Sequence, residues 1–178
     1  MKTICLYFEI HQIVHLKRYR FFDIGTDHYY YDDYENERSI RDIAERSYMP
    51  ALNTLGEMIK ENGQYFRVAF SLSGVGMEQL ELYAPEVLDK LVELNKTGCV
   101  EFLAEPYPHG LSSLKDKATF ASNVREQCDK MVEYFGKRPT VLRNSSLIYS
   151  DDIGQQAAEM GFKGMLTEGA KHVLGWKS

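Results

Sequence analysis

The sequence predicts an α/β fold built on parallel strands, and three observations carry that expectation. Short apolar runs alternate with helix-periodic stretches along the whole chain, the order expected of successive βα units rather than of a meander. Gly and Pro punctuate the joints between these stretches. Polar residues recur where the apolar runs end, at His11, Ser73, Glu105, Asn144 and Glu168. In parallel α/β folds the strand C-termini are where reacting groups gather.

Taken in order, Thr3 to Ile10 is rich in Ile, Leu, Tyr and Phe and reads as the first strand, stopping at His11-Gln12. A tyrosine-rich segment from about Ile13 to Asn36 carries no clear periodicity, and a loop of that length in a compact domain is usually functional. Ser39 to Asn62 has helical spacing through Ile40, Ile43, Ala44, Leu52, Leu55, Met58 and Ile59, with Gly63 as its stop. Pro50 lies inside it and predicts a break or kink near Met49. Phe66 to Leu72 is the second strand. A short helix over Val75 to Tyr83 follows, then another over Pro85 to Thr97 with Pro in its first turn.

Glu101 to Glu105 reads as the third strand, and Ser113 to Phe135 as a long helix closed by Gly136. Ser112 and Ser113 are the expected caps of that helix. Thr140 to Arg143 is a fourth strand, Asp151 to Met160 a helix ending at Gly161, and Gly164 to Thr167 a fifth strand. Five parallel strands cannot close a barrel, so the expectation is an incomplete βα barrel whose open edge invites self-association.

Composition narrows the function. With 178 residues, 44% apolar and 26% charged, the chain is an ordinary single globular domain. A net charge of −5 gives no basic footprint, which argues against nucleic acid as a partner. Cys5, Cys99 and Cys128 are odd in number and lack metal-ligand spacing, as expected of free thiols in a reducing compartment. No apolar run reaches transmembrane length and none resembles a signal peptide, so no membrane association and a cytoplasmic location are expected.

The segment Val100 to Gly110 is the most informative. An apolar strand ends at Glu105, and Pro106, Tyr107, Pro108 and His109 follow at once. A carboxylate placed there is a candidate for catalysis. On position alone, capping a loop or pairing with a nearby Arg is the commoner role, since structural ion pairs share such places.

Other patterns have plainer readings. His11 and His15 are spaced i, i+4, a metal pair if helical, but they follow a strand and lack a third ligand with clear spacing, so no metal is expected. Asp32-Asp33 and Glu35-Asn36-Glu37 lack the central Gly of a calcium loop and read as a solvated face or a helix N-terminal cluster. Glu78 and Glu81 suit a helix surface. Gly74 and Gly76 are not followed by Gly-Lys-Ser/Thr, which excludes a phosphate loop. No nucleophile elbow is present.

Read together, four segments go further. His11-Gln12, then Ser73-Gly74 with Glu78-Gln79-Leu80, then Glu105 with Tyr107, His109 and Leu111, then Arg143-Asn144 with Leu147, Tyr149 and Thr167-Glu168-Gly169, stand in one order on successive strand ends. In that order they resemble the motifs of glycoside hydrolase family 57, in its α-amylase-like branch, along essentially the whole chain. The resemblance implies the N-terminal part of a distorted seven-stranded TIM-like barrel. It also implies a retaining glycosidase acting on α-1,4-glucans or malto-oligosaccharides, with no cofactor. By the same resemblance Glu105 is the nucleophile, and it should stay ionised in a partly solvated, hydrogen-bonded setting. His11, Gln12, His109 and Glu78 are expected as substrate-binding residues, and Trp176 or the Tyr29-Tyr30-Tyr31 run as sugar-stacking surfaces.

Departures from the family pattern are Ile13 in place of Pro, Ser146 in place of an acidic residue, and Pro106 after the nucleophile. The family's acid/base aspartate belongs to a strand beyond residue 178 and is assigned to no residue here. Two alternatives therefore stand beside the enzyme. One is an inert or carbohydrate-binding half-barrel. The other is a metal-dependent polysaccharide deacetylase, which would end its first strand in an Asp-Asp pair where this chain has Glu9 and His11.

Overall fold

The computed structural model describes residues 4–169. In chain order the elements begin with strand β1 (Tyr7–Ile10), helices α1 (Asp33–Ile43) and α2 (Met49–Asn62), and strand β2 (Val68–Leu72). Helices α3 (Gly74–Tyr83) and α4 (Pro85–Asn95) and strand β3 (Val100–Leu103) follow. The rest are α5 (Lys117–Phe135), β4 (Val141–Arg143), α6 (Asp151–Glu159) and β5 (Gly164–Leu166). No helix among the described residues is long and apolar enough to cross a membrane.

These elements divide into two compact units. The first holds Met1–Glu9, Ala69–Gly74 and Glu101–Ser178, and the second holds Ile10–Val68 and Val75–Val100.

The first unit is organised by its strands. They are hydrogen-bonded in the order β1-β2-β3. A parallel bridge from Ala104 to Leu142 continues the order to β4, which pairs in parallel with β5. Successive strand residues face opposite ways, and this sequence uses the alternation to separate two chemistries. Phe8, Phe70 and Phe102 form a row of rings across β1, β2 and β3, with centroids 5.9 and 6.2 Å apart. Phe102 stacks on Phe135 of α5 at 3.9 Å, so this is the helix-covered face. Ala104 and Leu142 continue it and pack with Phe120, Val124, Cys128, Ile153 and Ala157 from α5 and α6. The intervening residues, Tyr7, Glu9, Ser71, Glu105 and Arg143, fall on the opposite face.

Helix α5 begins later than its hydroxyl signal suggests. Ser112–Leu114 form a separate short 3-10 turn, and the cap is Asp116, whose carboxylate accepts from the Thr119 amide at 3.0 Å. Both hydroxyls were plausible caps by residue type, but the Asp116 carboxylate also takes the Thr119 hydroxyl at 2.7 Å. These two bonds, the amide's first, hold the Asp116 carboxyl below the usual carboxylate range. A lowered folded-state value means that the cap stabilises above the ordinary carboxylate pKa and is lost as pH falls through the lowered one. We expect Asp116→Asn, which keeps the cap without titrating, to flatten the fall of thermal stability below about pH 4. Melting curves of both proteins between neutral and acid pH check this. At the other end of α5, Gly136 adopts φ 71° and its amide closes onto the Val132 carbonyl, a conformation glycine takes without a Cβ clash.

In the second unit, the break expected at Pro50 takes the form of a π-helical turn, Ala44–Tyr48, between α1 and α2. Pro50 sits in the first turn of α2, where its missing amide costs nothing. Leu52, Leu55 and Ile59 of α2 are buried, as are Val87, Leu88, Leu91 and Leu94 of α4, and the two helices pack together. The tyrosine-rich segment is less irregular than its sequence predicts. Leu16 and Tyr31 make an antiparallel bridge. The buried Asn36 side chain accepts from the His15 amide at 2.6 Å and donates to its carbonyl at 3.2 Å. The acidic run is a helix start, with Asp32 capping α1 through the Glu35 amide.

Candidate active site

The polar face of the first unit converges on Glu105. Ala104 pairs with β4 through Ala104 N to Val141 O at 2.9 Å and Arg143 N to Ala104 O at 2.7 Å. Glu105 and Arg143 therefore follow a matched pair of residues and emerge side by side. Glu105 is completely buried. Its Oε2 accepts from the Ser71 hydroxyl and lies 3.4 Å from Arg143 Nη1.

Arg143 is 3% exposed and ties several groups at once. Its Nη2 donates to Glu9 Oε2 at 2.6 Å, and its Nη1 lies 3.2 Å from His109 Nδ1. Arg cannot accept, so this contact makes Nδ1 the acceptor and places the imidazole proton on Nε2, 3.5 Å from Glu9 Oε1. One guanidinium thus serves two carboxylates and a ring nitrogen, which its planar fork permits and an ammonium would not. The chain reaches this point through a turn, His109 N to Pro106 O at 2.9 Å, with His109 at φ 54°. A left-handed non-glycine residue is sparsely populated and persists only where its surroundings hold it.

Among the described residues, Glu105 Oε1 and Arg143 Nε are buried in this cluster without a hydrogen-bond partner, Oε1 lying 3.6 Å from His109 Nδ1. Buried polar groups are nearly always satisfied, and their concentration here marks a place for a ligand or water. Burial pushes the Tyr7 phenol up to about 12, with Arg143 opposing the rise. The phenol is therefore a neutral donor at any ordinary pH.

One expectation is corrected here. Glu105 is not partly solvated. Its charge is balanced inside the protein by Arg143 and by the Ser71 hydroxyl, because the strand end that carries it is covered on every side. His109 lies beside it, with Nδ1 3.6 Å from Glu105 Oε1. His11, Gln12 and Glu78 belong to the second unit. There Gln12 donates to the Tyr48 hydroxyl at 3.3 Å, and the buried Gln79 amide donates to the Gln12 carbonyl at 2.9 Å. Glu78 is exposed on α3. Tyr29, Tyr30 and Tyr31 are exposed. Trp176 lies outside the described residues. Asn144 is structural, its amide donating to Ser113 Oγ and to the Ile148 carbonyl, both at 2.9 Å.

Sequence reasoning missed Glu9, Ser71, Tyr7 and Arg143 as site residues. The signal that would have found them is the period-two alternation, which puts each on the same face as Glu105. Glu9, Glu105 and His109 also offer oxygen and nitrogen atoms within 4.8 Å of one another, a spacing a cation could use. The Arg143 guanidinium already contacts all three.

The family model for Glycosyl hydrolase family 57 matches residues 5–178. A Methanocaldococcus jannaschii protein named "Putative alpha-amylase" is 36% identical over 150 residues, which is 84% of this chain. The chain spans about a third of that relative's length, 32%. Among solved structures, the 4-α-glucanotransferase of Thermococcus litoralis superposes with a TM-score of 0.62 at 19% identity, covering 71% of this chain and 19% of that one. The GH57-type branching enzyme of Pyrococcus horikoshii gives 0.59 at 16% identity, covering 90% and 40% respectively. At such identities the structural likeness speaks for the α/β fold alone. The family model spans almost every residue, and a relative above 30% identity matches most of the same stretch. On those grounds the chain belongs to glycosyl hydrolase family 57.

Proposed function

We propose that this chain carries the nucleophile side of a retaining glycosidase acting on α-1,4-glucans, with Glu105 as the nucleophile. The observation that carries the reading is the asymmetry of its two oxygens. Oε2 is held by Ser71 and Arg143, while Oε1 is buried without a hydrogen-bond partner. An oxygen with its lone pairs unspent, on a carboxylate whose orientation is fixed by the other oxygen, is arranged to attack. Oε1 would bond to the anomeric carbon as the glycosidic oxygen leaves with the bonding pair and takes a proton from a general acid supplied from outside this chain's assigned residues, giving a glycosyl ester that water or another sugar later displaces.

The family membership supports the substrate class. The name of the curated relative, an α-amylase, supports α-glucans in particular. On this reading the fold is part of a distorted seven-stranded TIM-like barrel. On the same reading His109, His11, Gln12 and Glu78 are substrate-binding residues. The three free thiols, Cys5, Cys99 and Cys128, fit a cytoplasmic setting. The metal-dependent deacetylase reading is weaker, because a guanidinium stands among the three groups that would have to hold the cation.

Incubation with a 5-fluoro-α-glucosyl fluoride followed by intact-mass spectrometry tests the proposal. Fluoride leaves without a proton donor, so the first step relies on the nucleophile alone. One sugar should add to the full chain and none to Glu105→Gln. An adduct that persists in the variant would assign the nucleophile elsewhere. No adduct on a demonstrably folded chain, with malto-oligosaccharide binding retained in both proteins, would make this a binding module.

A further inference from the structure

The sheet hydrogen bonds run out just before the reacting carboxylate. β2 ends at Leu72 and β3 at Leu103. Ala104 turns its amide and carbonyl toward β4. Its neighbours, the Leu103 carbonyl and the Glu105 amide, therefore point the other way, toward the side of β2, since successive peptide groups of a strand alternate in direction. Burial at this depth requires partners for them.

Those partners come from one side chain. Gln127 projects from α5 and is completely buried. Its Nε2 donates to the Leu72 carbonyl at 2.8 Å and reaches the Leu103 carbonyl at 3.5 Å. Its Oε1 accepts from the Glu105 amide at 3.3 Å. A carboxamide offers N–H donors and a C=O acceptor in one plane, the two kinds of group a further strand residue would present. Glutamate would lack the donors, and methionine would lack both. The Leu72 carbonyl lies one residue beyond Ser71, which holds Glu105 Oε2. One amide thus spans both the backbone of Glu105 and the strand end that carries its hydroxyl partner.

We infer that Gln127 is a positioning residue for Glu105. It continues the sheet by one side-chain rung, and by joining the ends of β2 and β3 it sets the carboxylate against Ser71 and Arg143. This rests on the reading of Glu105 as nucleophile for its consequence, though not for its geometry.

The test uses the full chain and two substitutions in α5. Gln127→Met keeps length and removes every polar contact. Met131→Ala deletes a fully buried side chain of the same helix with no polar contact to Glu105, and reports what lost packing alone does. Amide exchange followed by NMR should show the Glu105 amide of Gln127→Met exchanging about tenfold faster or more, with β4 still protected. At temperatures chosen to match the two variants in stability, labelling by the glucosyl fluoride should slow at least tenfold in Gln127→Met and stay near wild type in Met131→Ala. Unchanged protection of the Glu105 amide in Gln127→Met would overturn the inference. So would equal labelling of the two variants. If the unsubstituted chain takes no label, the proposed nucleophile fails. The exchange measurement still decides whether Gln127 fixes the Glu105 backbone.

Discussion

Arg143→Met should destabilise the protein by about 3–5 kcal/mol, the cost of removing one partner from a buried charge cluster. Glu105 would be left fully buried with the Ser71 hydroxyl as its remaining hydrogen-bond partner. Glu9 and Glu105, whose carboxylate oxygens approach within 4.8 Å, would lose the cation between them. Methionine fills much of the arginine stem's volume, so the loss reports charge rather than a cavity. Urea denaturation at unchanged slope reads it as a fall in midpoint.

Two companions separate the causes. Arg143→Lys should recover only part of the loss, because a single ammonium cannot bridge two carboxylates and His109 together. Adding Glu105→Gln to Arg143→Met should return part of the stability, since the uncompensated charge is then gone. A loss below about 1 kcal/mol, the range of an exposed ion pair, would mean that water reaches the Arg143–Glu105 pair and that its burial is wrong.

Gly74→Ala should have the next largest effect, for a steric reason. A Cβ on Gly74 would lie 2.2 to 2.3 Å from the Cδ2, Cε2 and Cγ atoms of the Tyr107 ring. Contacts that short do not exist, so the ring or the helix start must move. Tyr107 has little freedom to do so. Its amide donates to the Asn123 carbonyl at 3.2 Å, and the turn from Pro106 to His109 closes around it. Overpacking of this kind typically costs about 1–3 kcal/mol, and here the displacement reaches His109 within two residues. Both stability and labelling at Glu105 should therefore fall. In the Gly74→Ala, Tyr107→Ala double variant the clash is removed, and the two losses should add to more than the measured total. Strict additivity would show that the glycine is not there to admit the ring.

Much of this was legible in the residues themselves. The alternation of apolar runs with helical spacing produced most strands and helices within about four residues, although α1 starts at Asp33, inside the expected loop and before the expected Ser39. Each miss has a local cause. The helix expected from Ser113 starts after Asp116, because a carboxylate that takes both the amide and the hydroxyl of Thr119 outcompetes the preceding serines. The kink at Pro50 became a π-helical turn, which lets the two helices stay nearly continuous while proline keeps a first-turn position. The tyrosine-rich segment is pinned by Asn36, whose contact to His15 spans 21 residues and leaves no periodic trace.

The site divides along the same line. The sequence by itself determined that Glu105 ends a strand, and period-two patterning already placed Tyr7, Glu9, Ser71, Glu105 and Arg143 each opposite an apolar neighbour. Tertiary structure alone decided that they meet. Arg143 reaches Glu9 across 134 residues, Ser71 reaches Glu105 across 34, and Gln127 reaches Leu72 across 55. The pattern of one strand specifies which face a side chain takes, but not which strands become neighbours. That follows from the helices packing behind the sheet, so the pairing of charges waits on the order of the strands.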